Sequence, residues 1–402
     1  MVELLSNAAL MIAAGVTLAP IIMFCLECLA AFLPGKASDL STASRPRVAV
    51  LIPAHDEEQV LEDTLRAVSP ALADDDRLLV VADNCTDRTA ELAHVLGAEV
   101  YERIDPEHRG KGYALKSGIQ HLVSQPPEVL IVLDADCLVE ADTVDRLARL
   151  AFSSGRPVQA RNLTDRNGAA GDLQVVSLLA NRITNLIRPL GLLRLGAPCR
   201  LMGTGMAIPW RMAEHMPLVG DSLVEDLQLG IDLALQGKSA FFCPEAGVTS
   251  CLPQGAAFVT QRTRWEHGHL QAAVSQIPRL LAASLKQRRI GLAAMAWDLS
   301  IPPMTLLAAG WILMLIVSIA AGLVGLSWLP AVLLSVGGVA MAVSIAVAWA
   351  GFCRRQVPLR GFVAVPRYIV RKWPVYARLV FHRQHAWVRT ERQSVRSPPR
   401  QS

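Results

Sequence analysis

The chain has 402 residues, of which 52% are hydrophobic and only 18% are charged. This composition is more apolar than that of ordinary soluble domains, so it argues against a wholly water-soluble protein and predicts membrane-spanning segments. The net charge is +4, and the eight cysteines are scattered along the chain. A zinc site is therefore not expected, because its four ligands must gather in one place.

The first predicted element is a transmembrane helix at the N-terminus. Residues 8–26 contain no charged side chain, and a stretch of this length is about enough to cross a bilayer. We place the span at residues 8–30, with a linker up to residue 45. A cleaved signal peptide is the alternative. The first seven residues carry no Lys or Arg, however, and no short apolar core ends in a small-x-small cleavage site.

Strand and helix patterns alternate in the next part of the chain, and we treat residues 46–290 as one cytoplasmic domain. Apolar runs that end in polar residues predict buried strands, and the segments between them have helical spacing. This alternation predicts an α/β fold with a mainly parallel sheet and helices on both faces. The predicted strands lie in RVAVLIPAH, RLLVVADNCTD, AEVYER and VLIVLDAD, and the predicted helices in EEQVLEDTLRAV, RTAELAHVLGA and KGYALKSGIQHLV.

Three of these strands end in acidic segments, at His55-Asp56-Glu57, at Asp83 and at Asp134-Ala135-Asp136. In parallel sheets, ligands bind beyond the carboxyl ends of the strands. Asp134 and Asp136 repel each other unless they share a cation, and their oxygens suit Mg²⁺ or Mn²⁺. The alternative is that both carboxylates are merely solvated. No G-x-G-x-x-G or Walker lysine loop follows a strand, which argues against a dinucleotide oxidoreductase or a P-loop enzyme.

Residues 291–353 form a predicted membrane region, with an interfacial segment followed by two transmembrane helices. The stretch from Leu299 to Cys353 contains no Asp, Glu, Lys or Arg over 55 residues. One helix of that length would measure about 80 Å, whereas the bilayer core is about 30 Å thick, so the stretch must fold back. Ser327, Trp328 and Pro330 mark the turn. The predicted spans are residues 303–324 and 330–352.

The tail at residues 354–402 is strongly basic. It holds twelve Arg or Lys and one acid, a balance of +11, whereas the first 353 residues have a balance of −7. By the positive-inside rule the tail is cytoplasmic, so three spans place the N-terminus outside and residues 34–298 inside. Aromatic residues among the bases of Arg367–Phe381 indicate a helix on an anionic membrane face rather than a nucleic-acid-binding segment. A merely solvated basic end is the alternative.

Seven short motifs follow one another along the chain: IPAHDEE, ADNCTDRT, RGKGYAL, DAD, GTGMAI, VEDLQLG and QRTRW. This series resembles the membrane-bound family-2 glycosyltransferases, the group of the cellulose, chitin and hyaluronan synthases. The resemblance covers about residues 46–270 together with the membrane layout. It implies the GT-A fold, a nucleotide-sugar donor, a divalent metal ion, Mg²⁺ or Mn²⁺, and inversion at the anomeric carbon.

The resemblance implies how the nucleotide is bound. Pro53 and Ala54 leave room for the base, and Glu58 orients the loop around it. Asp83 accepts the imide N–H of a uracil, because a carboxylate is an acceptor that suits this donor. A UDP-sugar is therefore the favoured donor.

The resemblance also implies how the diphosphate and the metal are held. Lys111, in its glycine turn, reaches the diphosphate, although on its own it would indicate a surface lysine. Asp134 contacts the ribose or donor and shares the metal with Asp136. Gly203 of the GTG segment belongs to the substrate site.

Asp226 is the candidate general base. Transfer with inversion needs a base on the face opposite the leaving diphosphate, which takes the proton of the acceptor hydroxyl. Glu225 is expected to support it. On their own, the two acids would indicate charges that complement the N-terminal dipole of a helix. Their position between the GTG and QRTRW motifs favours the catalytic assignment.

The QRTRW motif has a dual character. Three of its residues can contact the diphosphate as charge develops on it, and Trp265 offers a flat face to an acceptor sugar. The three are Gln261, Arg262 and Arg264. The same stretch is also typical of an amphipathic helix at a membrane surface, and the two roles are compatible.

Two features depart from the family pattern or match it weakly. Asp56 stands where the family usually has Asn, which adds a negative charge near the donor and leaves its role open. The segment Trp387–Arg392 resembles a Trp-x-x-Thr-x-Arg segment near the active-site mouth of some members. A basic surface tail explains that segment equally well.

The sequence therefore predicts an enzyme of the bacterial inner membrane that adds sugar to an exopolysaccharide or a lipid-linked acceptor, with membrane lipids around it. The QRTRW motif and Trp265 favour processive polymerisation, which would involve polysaccharide export partners. Three spans favour transfer of one sugar to a lipid. A non-catalytic nucleotide-sugar sensor is the rival hypothesis, and such a sensor is expected to lose Asp226 or the Asp134/Asp136 pair.

Overall fold

The computed structural model describes residues 1–35, 44–165, 172–217, 224–251, 255–365 and 367. The helices are α1 (Val2–Ala30), α2 (Leu61–Val68), α3 (Thr89–Val95), α4 (Lys111–Leu122), α5 (Thr143–Ser154), α6 (Asp172–Arg182), α7 (Arg188–Arg194), α8 (Trp210–Ala213), α9 (Glu225–Leu235), α10 (Gly255–Gln287), α11 (Ile290–Leu299), α12 (Met304–Leu323) and α13 (Leu329–Ala348). The strands are β1 (Val48–Ala54), β2 (Arg77–Asp83), β3 (Glu99–Arg103), β4 (Val129–Val132), β5 (Cys137–Val139), β6 (Val158–Asp165), β7 (Met206–Pro209) and β8 (Phe241–Cys251).

Within these residues the strands form one eight-stranded sheet with the order β3-β2-β1-β4-β7-β6-β8-β5. Strands β3, β2, β1 and β4 are parallel to one another. Strand β7 runs antiparallel to β4 and β6, whereas β8 is parallel to β6 and antiparallel to β5. The α/β prediction and the four predicted strands are confirmed. Strands β5 to β8, which complete the sheet, were not predicted from the sequence.

The parallel half of the sheet is the apolar centre of the fold. The residues of β4 and most of those of β1 are fully buried, because helices cover both faces of this part of the sheet. Gly118 of α4 allows one such helix to approach closely. A Cβ atom at this position would lie 2.5 Å from Leu51 of β1 and 2.9 Å from Val81 of β2.

By its contacts the chain divides into two units. The first, which we call the catalytic unit, contains the sheet and comprises Lys36–Ala169, Pro198–Gly268 and Gln384–Ser402. The second, the helical unit, comprises Met1–Gly35, Ala170–Ala197 and His269–Arg383. From the sequence, residues 46–290 are expected to form one domain, whereas this division places the segment that contains α6 and α7, and residues 269–290, in the helical unit.

Among the described residues of the helical unit, three helices are long and apolar enough to cross a membrane, as expected from the sequence: Val2–Ala30, Met304–Leu323 and Leu329–Cys353. The turn between the second and third spans also lies where it was predicted. Gly325 adopts a φ of +97°, which favours glycine. A Cβ atom at Gly322 would lie 2.7 Å from the indole of Trp328, so a glycine lets this side chain fold onto the end of α12.

A buried group of three charged side chains joins three helices of the helical unit. Arg188 of α7 donates through Nε to Glu27 Oε2 of α1 and through Nη2 to Asp298 Oδ1 of α11, at 2.5 Å each. All three residues are at most 3% exposed. Gly191 lies one turn after Arg188, and a Cβ atom there would collide with the carbonyl oxygen of Glu27. Helices α1 and α7 are therefore in backbone contact beside a buried ion-pair triad.

Candidate active site

The acidic segments predicted at the strand ends lie at one edge of the sheet. Strands β1, β2 and β4 are parallel neighbours, so their carboxyl ends point the same way. Asp83 is the last residue of β2, and Asp134 follows β4. Pro53 is half-buried and Ala54 is buried at the end of β1.

The loops that follow β1 and β2 are joined by hydrogen bonds. Asp56 has a φ of +52°, a left-handed conformation that Asp tolerates. Its Oδ1 accepts the backbone N–H groups of Thr86, at 2.6 Å, and of Asp87, at 3.3 Å. Glu58 accepts the N–H of Arg88 at 3.0 Å, and its own N–H donates to Asp87. Asp56, whose role the sequence left open, therefore helps to shape the loop after β2.

Asp83 is engaged by an arginine. Arg103, the last residue of β3, donates to Asp83 Oδ1 at 2.6 Å, and the Asn84 amide donates to the same oxygen at 3.0 Å. Arg103 also donates to Asp105 and to the carbonyl of His108, at 2.8 Å each. These bonds fix the orientation of the Asp83 carboxylate and use only one of its two oxygens.

Four predicted site residues meet in the catalytic unit. Lys111, the first residue of α4, donates from Nζ to Asp134 Oδ1 and, at 2.8 Å, to the carbonyl oxygen of Gly203. Gly203 has a φ of +82°, and a Cβ atom there would lie 3.1 Å from Asp226 Oδ2 and 3.4 Å from Lys111 Nζ. One lysine and two carboxylates from distant parts of the sequence therefore surround this glycine.

The charges in this cluster influence one another. Burial raises the pKa of Asp226 to about 6, and the neighbouring Glu225 adds to the shift, while Lys111 opposes it. Burial disfavours the charged form of Lys111, but Asp134, Glu225 and Asp226 outweigh that effect and raise its pKa. Asp226 therefore changes protonation close to neutral pH, as suits a general base, and Lys111 remains a cation.

Asp134, Asp136 and Cys137 offer ligand atoms that lie within 4.8 Å of one another. Burial and the two nearby carboxylates raise the pKa of the Cys137 thiol well above its usual range. The thiol receives a hydrogen bond from Thr204 and donates weakly to Asp136. Because a thiol binds metal as the thiolate, the donor set here is the two carboxylates. Carboxylate oxygens are the ligands that Mg²⁺ and Mn²⁺ prefer.

Glu225 and Asp226 lie in the first turn of α9, so they also carry the charge that complements a helix N-terminus. The contact of Asp226 with Gly203 places its carboxylate at the cluster as well. The two alternatives from the sequence are therefore compatible.

The QRTRW motif lies on α10. Arg264 is partly buried, and Trp265 is 52% exposed. The side chains of Gln261 and Arg262 lie outside the described residues, as does the segment Trp387–Arg392. The hydrogen bonds that unite Lys111, Asp134 and Gly203 do not include Arg264 or Trp265. The role of this motif stays a prediction.

Two polar residues that shape the site were not predicted from the sequence. Arg103 ends a strand at the same sheet edge as Asp83. The basic residue at the end of AEVYER could have indicated this from the sequence. Gln159 of β6 is fully buried and bonds to the turn that contains Gly203. Gln159 was harder to identify from the sequence, because β6 was not recognised as a strand.

Comparisons with known proteins concern the family and the fold of this chain. A family model described as "Glycosyltransferase like family 2" matches residues 46–268. The "Probable glycosyltransferase YdaM" of Bacillus subtilis is 28% identical over 266 residues, which are 61% of this chain and 60% of that protein. The 4,4'-diaponeurosporenoate glycosyltransferase of Staphylococcus haemolyticus is 36% identical over 93 residues, 22% of this chain and 24% of that protein. The matches thus span three-fifths or less of these relatives' own length.

Among solved structures, a mannosyltransferase from Pyrobaculum calidifontis, PcManGT, is similar over 96% of this chain and 100% of its own, with a TM-score of 0.57 and 19% identity. That structure is a complex with GDP-Man and Mn²⁺. The similarity concerns the fold, and it confirms the expected GT-A architecture.

Proposed function

Because the chain belongs to the family-2 glycosyltransferases, we propose that it transfers a sugar with inversion from a UDP-sugar to a saccharide or lipid-linked hydroxyl at a bacterial inner membrane. The observation that carries this proposal is the cluster of Lys111, Asp134 and Asp226 around Gly203. This cluster brings together a cation that can bind a diphosphate, a carboxylate that can bind a metal ion and a carboxylate that can accept a proton.

The reaction requires one proton transfer and one displacement. Asp226 takes the proton of the acceptor hydroxyl, and the acceptor oxygen forms a bond to the anomeric carbon. The bond from that carbon to the diphosphate breaks on the opposite face, and the nucleoside diphosphate leaves with the electron pair. Lys111 is held beside Asp134 as a cation, so it stabilises the negative charge that develops on the diphosphate.

Asp134 and Asp136 would hold the divalent ion. Such an ion, when bound, neutralises charge on the diphosphate. The fit rests on the chemistry of the donor set, two carboxylates beside a thiol that remains protonated. The proposal includes either Mg²⁺ or Mn²⁺.

Asp83 supports the choice of uracil. Arg103 and Asn84 both donate to Oδ1, and Oδ2 takes no part in these two bonds. A uracil ring offers one N–H on its recognition edge, whereas guanine offers N–H donors on two adjacent nitrogens. A carboxylate with one oxygen already committed therefore suits uracil better.

The membrane context is also a proposal. The three apolar helices support an integral membrane protein, and the +11 balance of residues 354–402 supports a cytoplasmic catalytic unit. The acceptor is then a hydroxyl at the cytoplasmic membrane face.

The experiment is transfer from labelled nucleotide sugars by membranes that contain the protein. We expect label to be transferred from a UDP-sugar, and EDTA should abolish the transfer. Separation of lipid-extractable from polymeric product distinguishes a lipid acceptor from a growing polysaccharide. Transfer from none of the tested nucleotide sugars, or full activity in EDTA, would contradict the proposal. Asp136→Ala serves as the matched inactive enzyme.

A further inference from the structure

One short turn connects the residues of the candidate active site. The carbonyl oxygen of Gly203 accepts from Lys111 Nζ at 2.8 Å. The hydroxyl of the next residue, Thr204, accepts the backbone N–H of Asp134 at 3.0 Å. Asp226 lies against the Cα of Gly203. The position of this turn, Met202–Gly205, therefore determines how the lysine and the two carboxylates face one another.

Gln159 holds this turn from the sheet. It is fully buried on β6, between Val158 and Ala160, which are also fully buried. Its Oε1 accepts the N–H of Met202 at 2.8 Å, and its Nε2 donates to the carbonyl of Thr204 at 2.8 Å. The same Nε2 donates to the carbonyl of Ala160 at 2.9 Å. A glutamine amide has one acceptor and two donor hydrogens, so it satisfies both ends of the turn at once.

The turn has little room to move on its other side. Gly205 has a φ of +64°, and a Cβ atom there would lie 2.8 Å from Val248 and 3.0 Å from Ala160. The backbone is thus packed directly against β6 and β8. A polar side chain buried between apolar neighbours costs desolvation free energy, which the bonds to the turn offset. An aliphatic residue would fill the same space but leave the turn without these partners.

We propose that Gln159 is a positioning residue for donor binding and transfer, and that it acts by fixing the Met202–Gly205 turn against Lys111, Asp134 and Asp226. The inference rests on the proposed function, because the turn matters for catalysis only if those three residues do the chemistry. Gln159 itself touches none of the reacting groups.

The first test is Gln159→Met, which conserves volume and removes every bond to the turn. Turnover, and UDP affinity in the presence of Mn²⁺, should fall by about 10–100-fold, the usual effect of losing a residue that orients a ligand. The control is Thr143→Val. Thr143 is fully buried in the same unit, and its hydroxyl bonds twice to Gly247, at 3.0 and 3.1 Å. This variant should lower Tm while UDP affinity and turnover stay at the wild-type level.

The second test is Gln159→Glu. The new carboxyl keeps an acceptor for Met202, and in its protonated form it can donate to the Thr204 carbonyl. Once ionised it cannot donate. Burial among carbonyl oxygens raises the pKa of this carboxyl above the ordinary value of about 4.3. Turnover relative to wild type should therefore fall as pH rises through that pKa. For Gln159→Met, the ratio of its turnover to that of the wild type should not change with pH.

The proposal is overturned if both variants have wild-type UDP affinity and wild-type turnover after these values are corrected for the folded fraction. If Gln159→Met does not fold, the pH dependence of Gln159→Glu decides, because it is measured within one folded preparation. A wild-type enzyme that transfers from no nucleotide sugar contradicts the proposed function instead. In that case UDP affinity in the presence of Mn²⁺ still tests whether Gln159 positions Lys111 and Asp134.

Discussion

As the proposed general base, Asp226 would have to be held in place and be able to accept a proton. Its carboxylate is packed against the backbone of Gly203, and Glu225 and Lys111 act on its charge in opposite directions. A half-buried carboxylate in such surroundings loses part of its hydration and binds a proton more readily than in water. Asp226 is therefore able to accept a proton close to neutral pH, as the proposed mechanism requires.

Replacing Asp226 by Asn tests the assignment of the base. The change conserves size and removes the proton acceptor, so turnover should fall by about two to four powers of ten. UDP affinity should remain close to the wild-type value, because the proposed donor site consists of Asp83, Lys111 and the metal. The control is Glu225→Gln, which removes one charge from the same helix turn and should lower turnover far less. A variant of Asp226 that melts early but turns over normally per folded molecule would show a helix-capping role only, worth about 0.3–1 kcal/mol.

The same residue predicts a pH dependence of stability in the metal-free protein. The pKa of Asp226 is about 6 in the folded state against an ordinary value of 3.8. A raised carboxyl pKa contributes stability that is complete below the ordinary value and is lost as pH rises through about 6. The full difference corresponds to about 3 kcal/mol, and solvent contact reduces it to about 1–2 kcal/mol. In EDTA, Tm of Asp226→Asn minus Tm of the wild type should therefore increase from pH 4 to pH 7. A constant difference would contradict the shift.

Asp83→Asn tests the nucleotide assignment. In the variant, an NH₂ group replaces one of the two carboxylate oxygens. This donor then faces another donor, either the guanidinium of Arg103 or the uracil N–H. UDP affinity should fall by about tenfold or more, in line with a lost charge-assisted hydrogen bond. Arg103 keeps its bonds to Asp105 and His108, so the fold should tolerate the change. Titration calorimetry with UDP and with GDP measures the effect. Unchanged UDP affinity would remove Asp83 from the base site.

The elements differ in how well the sequence predicts them. Strands β1, β2 and β4 were predicted because each is an apolar run with a polar end, the pattern of a strand buried on both faces. Strand β5 has only three residues, and β7 (MAIP) is as short as β4 but ends in a proline rather than in acidic residues, so neither shows this pattern. In strand β6 (VQARNLTD), five of the eight residues are polar, Gln159 and Arg161 among them. The partners of Gln159 and Arg161 are set by the three-dimensional fold, and no local sequence pattern indicates them.

The site was predicted in the same uneven way. Asp134, Lys111 and Asp226 could be named because they lie in recognisable motifs. The bond of Lys111 to Asp134 could not be derived, since 23 residues separate them. The Glu27, Arg188 and Asp298 group was missed for the same reason. Glu27 is a single acid inside an apolar helix, and its partners are 161 and 271 residues further along the chain.

Arg188 links α7 to α1 and α11 through its two ion pairs, so we expect the packing of these helices to depend on it. In Arg188→Met, the carboxylates of Glu27 and Asp298 lose their shared cation and stay buried. Removing one partner of a buried ion pair costs about 3–5 kcal/mol, so the variant should melt well below the wild type in detergent. A triple variant with Glu27→Leu and Asp298→Leu added leaves no charge at the position of the triad and should recover most of the lost Tm. A single variant as stable as the wild type would show that the triad does not hold these helices together.

At the scale of the whole molecule, charge and hydropathy are separated along the chain. The acidic balance lies in the first 353 residues and the basic balance in the tail. The start of the tail is part of the packed helical unit. Trp349 donates to the carbonyl of Val357 at 2.7 Å, and its ring meets that of Phe362 edge-on at 5.8 Å. A truncation that tests the charge of the tail must therefore leave these residues in place.

A stop after Arg367 meets that condition. It removes eight Arg or Lys and one acid, a balance of +7, and it keeps the contacts of Trp349. Each base near an anionic surface contributes about 1 kcal/mol of attraction, which falls off within a Debye length. Wild-type turnover in liposomes should therefore increase with the fraction of anionic lipid and decrease with added salt, whereas the truncated enzyme should respond weakly to both. In neutral liposomes the two enzymes should turn over equally, which controls for damage to the fold. A truncated enzyme with the full wild-type response to anionic lipid would mean that the tail does not hold the catalytic unit at the membrane.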